Sequence, residues 1–170
     1  MKWHYLRRGW LWWTVVLFCL CAFIWLKVWI KFRPMNPQDS VWAAIVDYEI
    51  GSFNTGLTFV SVDESATSRP FSSRGHDPSD DFLDHFWLRG PRVRPASQGI
   101  FKPGAFPPGQ FVDKKTGEPG SLLVLGQVRW ISPSEAQVYA GGMGVGERYT
   151  VTSTWRGWVV TGRPELAWIA

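Results

Sequence analysis

Between His76 and His85 the chain gathers its densest cluster of groups that could do chemistry: His76, Asp77, Asp80, Asp81, Asp84 and His85. Imidazole and carboxylate side chains at this density can ligate a metal ion or exchange protons near neutral pH. A helix opening at Asp77 and Pro78 places Asp81 and His85 four residues apart on one face, and Asp80 and Asp84 likewise. Asp81 and His85 are therefore the candidate metal or acid/base pair. The same residues also have a structural reading, because Asp77 is a natural N-cap and first-turn carboxylates complement the helix dipole. That reading prevails, so no catalytic residue, metal or cofactor is assigned and the chain is not expected to be an enzyme.

Two further motifs invite a functional reading. GGMGVG, residues 141–146, has the glycine content of a phosphate loop, but ERYTVTSTW after it reads as a strand where a nucleotide fingerprint needs a helix. A hairpin or bulge is expected instead. Arg89, Arg92 and Arg94 could meet an acidic partner or anionic headgroups, or pair with nearby carboxylates. The two cysteines, Cys19 and Cys21, point to different faces of a helix, which excludes an unstrained mutual disulfide, and neither CxxC nor CxxCH occurs.

The elements that must position these groups begin with residues 9–30, GWLWWTVVLFCLCAFIWLKVWI, behind a basic flank at residues 1–8. The run is apolar except for Thr14 and Lys27, and Trp10 and Trp29 would sit ~28 Å apart on a helix, near the thickness of a bilayer's hydrocarbon core. The expectation is a transmembrane anchor, with Trp10, Trp12 and Trp13 in one interfacial belt, Trp25 and Trp29 in the other, and Phe18 and Phe23 within the span. A cleaved signal fits poorly, because bulky Trp25, Trp29 and Phe32 stand where a peptidase needs small residues. A lipoprotein signal fails because Phe18 precedes Cys19 and Leu20 precedes Cys21. The slight excess of positive charge on the N-terminal side places the remainder outside the cytoplasm. The location expected is thus a bacterial inner membrane, with a single pass and a periplasmic C-terminal domain.

The formal charge of +4 is concentrated in this anchor and its flanks. Residues 34–170 carry 12 Lys and Arg against 14 Asp and Glu, a mildly acidic balance that argues against nucleic-acid binding. After a linker at residues 31–38, residues 39–170 suffice for one core. Asp39 or Ser40 can cap a helix that Gly51 ends, and residues 57–62 read as a strand. A short helix carries Phe82, Leu83, Phe86 and Trp87 as its apolar stripe. Alternation over residues 122–131, 136–140 and 149–155, with turns between, predicts consecutive antiparallel strands. The fold class expected is α+β: one transmembrane helix, then one or two helices packed on an antiparallel β-meander.

Residues 89–120 interrupt this order with six prolines and six glycines, a composition that excludes a long helix or a central strand. Ile100, Phe101, Phe106 and Phe111 recur along this arm. Such aromatics either wrap back onto the domain's own core or dock on another subunit, as spaced anchors of an extended arm do. Phe101, Phe106 and Phe111, with the three arginines, are the candidate partner-binding residues.

The segment LLVLGQVRWISPSEAQVYAGGMGVGERYTVTSTWRGWVV resembles the C-terminal meander of uncharacterised secreted or membrane-anchored bacterial α+β domains. It is also similar to cone-shaped domains of the nuclear-transport-factor-2-like type, which implies helices packed on a curved antiparallel sheet and transfers no catalytic residue. Taken together, the expectation is a non-catalytic, membrane-anchored accessory subunit that stabilises a larger bacterial membrane complex, photosynthetic or respiratory. Its partners would be the lipid bilayer and other membrane subunits, with pigment or quinone against the anchor's aromatics. The competing expectation is a tethered periplasmic domain that binds or hydrolyses a small molecule.

Overall fold

The computed structural model describes residues 4–31, 35–53, 56–65, 75–87, 92–103, 110–142 and 144–169. Arg89 and Phe106 lie outside the described residues, as do the side chains of Trp10 and Trp29. The chain divides into two compact units, Met1–Pro34 and Met35–Ala170.

The first unit is built on one helix, α1 (His4–Lys31). It corrects the expected membrane span, because among the described residues no helix is long and apolar enough to cross a membrane. The tryptophans supply the reason. An indole N–H suits a wet interface better than hydrocarbon, so the Trp clusters at both ends leave residues 15–24 as the continuous apolar stretch. Those roughly ten residues rise ~15 Å, about half of the ~30 Å hydrocarbon core. Trp12, Trp13, Phe18, Phe23 and Trp25 are all exposed, Trp13 and Phe18 at 75%.

The second unit opens with α2 (Pro37–Phe53). Asn36 caps it rather than Asp39 or Ser40: the Asp39 N–H donates to Asn36 Oδ1 at 2.7 Å. Pro37 at the first helical position forfeits no hydrogen bond. Val41, Trp42, Ile45 and Val46 face the core, and the helix continues past Gly51.

Among the described residues the sheet has nine strands and is mixed, which corrects the expected antiparallel meander. β1 (Leu57–Asp63) is buried along its whole length and lies between β2 (Val93–Pro95) and β5 (Pro119–Ser132), parallel to both. A strand enclosed on both faces is the usual context for parallel pairing; Thr58, Ser61 and Asp63 disguise it in the sequence by their polarity. α3 (Asp80–Trp87) connects β1 to β2. The expected irregular arm is woven into this sheet. β2 takes its outer edge, where Pro95 is tolerated, and β3 (Gly99–Lys102) pairs with β4 (Gln110–Asp113), which pairs with the start of β5.

β6 (Glu135–Gly142) and β7 (Val145–Thr154) continue the sheet antiparallel. The glycine run becomes their hairpin, with Gly144 at φ +93°, a conformation other residues rarely adopt. The outer edge of β7 is shared by β8 (Gly157–Val160) at one end and β9 (Glu165–Ile169) at the other. β5 carries a bulge between Leu125 and Val128. There Gly126 O accepts a buried hydrogen bond from Trp42 Nε1 at 3.0 Å, which fastens α2 to the sheet. The main core gathers α2, Val60 and Val62 of β1, Phe82 and Phe86 of α3, and Leu125, Val138 and Val151 of the central strands. A smaller cluster on the other side joins Leu57, Phe59 and Phe111.

Candidate functional site

Helix α3 turns its chemistry outward. Phe82 and Phe86 are buried, Asp80, Asp81 and Asp84 are exposed, and the half-buried His85 ring meets Phe86 edge-on at 5.1 Å. Ser79 caps the helix in place of Asp77, its Oγ accepting the Phe82 N–H at 3.1 Å. Asp77 instead accepts the Ser97 N–H at 2.9 Å. Among the described residues no three His, Cys, Asp or Glu side chains are grouped to hold a metal ion.

Ser61, His76, Asp77 and Ser97 share a cavity of about 550 Å³, which brings together the residue types of a hydrolase. Their hydrogen bonds run otherwise. Ser61 Oγ donates to the His76 carbonyl at 3.3 Å, and the His76 ring nitrogen Nδ1 lies 2.8 Å from the Asp77 carbonyl. No serine–imidazole hydrogen bond is formed within this group, so a nucleophile and its base are not assembled there.

The candidate partner-binding residues separate. Phe111 is only 9% exposed, with its ring edge-on to Phe59 at 4.9 Å, so it belongs to the domain's own core. Phe101 stays half exposed beside Ile100. Arg92 is exposed, whereas Arg94 forms an ion pair with Asp113. Asp113 closes the turn after β4, with Oδ1 accepting the N–H groups of Thr116 at 2.7 Å and Lys115 at 2.8 Å and the Thr116 hydroxyl at 3.1 Å. These donors, led by the Thr116 N–H, hold its carboxyl at about 2.

The site with the most concentrated electrostatics was missed in the sequence. Tyr149 of β7, 1% exposed, places its hydroxyl 2.7 Å from Glu49 Oε1 at the end of α2 and 2.8 Å from Glu147 Oε2 on its own strand. A phenol has one hydrogen to donate. Both short contacts are therefore satisfied together when a second proton sits on one of the carboxyls. Burial, with the Glu147 charge adding to it, pushes the Glu49 carboxyl up against the opposing effect of the Tyr149 hydrogen bond. Burial and the two carboxylates push the Tyr149 hydroxyl up as well, which keeps it a neutral donor. Tyr48 meets the Tyr149 ring edge-on at 6.1 Å.

This trio lines a cavity of about 330 Å³ whose other walls are Thr58, Ser121, Leu122, Leu123, Gly141, Gly142 and Val145. The strand period of two, which puts Glu147 and Tyr149 on one face, was the legible signal. Glu49 lies 100 residues from Tyr149, and nothing local links them. No known protein family, curated protein or solved structure matches this chain.

Proposed function

We propose that the chain is a non-catalytic accessory subunit that helps assemble a larger membrane-associated complex, with α1 as its point of attachment. One observation carries this reading: α1 exposes Trp12, Trp13, Phe18, Phe23 and Trp25 together with Val15, Leu17, Leu20 and Ile24. A helix that is apolar around its circumference is stable in water only when other surfaces cover it. Apolar helices of neighbouring subunits would cover it on several sides, and the tryptophans offer both flat contact area and an N–H donor.

Purification of the tagged protein at native abundance in mild detergent, followed by native mass spectrometry, tests this. A stoichiometric assembly that is lost when Trp13, Phe18 and Trp25 are changed to Ser supports the reading. A chain that migrates alone at monomer size overturns it.

A further inference from the structure

We propose that the cavity beside Tyr149 binds a small organic amine, with the ammonium between Glu49 and Glu147 and the apolar body against Leu122, Leu123 and Val145. The cavity itself, about 330 Å³ with largely aliphatic walls and a few convergent polar groups, has the make-up of a small-molecule site. Those aliphatic walls disfavour a bare metal ion, which demands oxygen ligands on several sides. They favour a ligand with a hydrocarbon portion. No Lys or Arg lines the cavity among the described residues, so its charge comes from the glutamates, Glu49 from α2 and Glu147 from β7. Among the described residues that line the cavity the remaining titratable group is Tyr149 on β7, whose ring meets Tyr48 of α2, while β1, β5 and β6 contribute hydroxyls, aliphatic groups and glycines.

An ammonium presents three N–H donors where the free site has a single phenolic hydrogen between two carboxyls. It can therefore donate to both carboxyls at once. The protonated amine enters and its N–H groups donate to the Glu49 and Glu147 carboxylates, and any proton shared between the two carboxyls passes to solvent. The Tyr149 hydroxyl stays intact as a donor. The inference is independent of the assembly role of α1.

Isothermal titration calorimetry of the full chain at pH 7 reads the binding. The probes are 2-phenylethylamine and pentylamine, with 2-phenylethanol as the uncharged control. The expected result is saturable binding of an amine at one site and at least ~10-fold weaker binding of the alcohol. Glu49→Gln should weaken amine binding at least ~10-fold by removing the charge. Val145→Phe should do the same by filling the cavity with both carboxyls in place, and it carries the test if Glu49→Gln fails to fold. Absence of binding by either amine, equal binding of the alcohol, or affinity unchanged by Val145→Phe overturns the proposal.

Discussion

Asp39 and Ser79 tie the two helices of the sheet domain together: the Ser79 hydroxyl donates to Asp39 Oδ2 at 2.7 Å. Ser79 Oγ in turn accepts the Phe82 N–H, so one side chain both caps α3 and satisfies a carboxylate that is 4% exposed. Removing the hydroxyl therefore leaves two groups short of a partner. Ser79→Ala should destabilise the domain by about 1–2 kcal/mol, the sum expected for a lost cap and a weakened buried acceptor. Urea denaturation followed by tryptophan fluorescence measures it, and an unchanged midpoint would show that this hydroxyl does not hold α3.

Asp113 contributes to the stability of the domain in acid. Its carboxyl is held at about 2, below the ordinary 3.8, so the folded state favours the ionised form. The stabilisation is complete above about 3.8 and is lost as the pH falls toward 2. Asp113→Asn keeps one acceptor for the turn but cannot titrate. Denaturation midpoints taken between pH 5 and pH 2 should fall more steeply for the natural chain than for the variant.

Glu49 acts with the opposite sign. Burial raises its carboxyl above the ordinary 4.5, so the fold favours the protonated form. That stabilisation is complete below about 4.5 and is lost as the pH rises through the elevated folded value. Glu49→Gln, which stays neutral at every pH, should flatten the decline in stability on the alkaline side of pH 4.5. Equal slopes for the two proteins would place the proton elsewhere.

The periodic elements of the sheet domain were legible because their patterns are local. The strand read at residues 57–62 is β1, the alternation over residues 122–131 lies within β5, and the glycine run is a hairpin. Parallel pairing was invisible, since it depends on β1 meeting strands that begin at Val93 and Pro119. The caps were misplaced by a few residues because Asp, Asn and Ser cap equally well by type, and only the backbone path selects Asn36 and Ser79. The membrane span failed for a different reason. Its tryptophans were counted as edges of an apolar run when they occupy much of the run themselves. The Glu49–Tyr149–Glu147 site needed a contact across 100 residues of chain, which no local period encodes.

The aromatics of the former arm now have distinct expected roles. Phe111 fills the smaller core against Phe59, and Gly99 in β3 lies so close to the Phe111 ring that a Cβ there would collide with it. Phe111→Ala should thus cost about 3 kcal/mol or more through lost burial and the cavity left behind. Phe101 is 46% exposed one strand away, and Phe101→Ala should change stability by no more than about 0.5 kcal/mol. If the exposed strand β3 also contacts a neighbouring subunit, Phe101→Ala should lower the yield of the assembly while the domain's denaturation midpoint stays fixed. Chemical denaturation and native mass spectrometry on the same two variants separate these outcomes. A large stability loss from Phe101→Ala would assign that ring to the domain's own core and remove it from the interface.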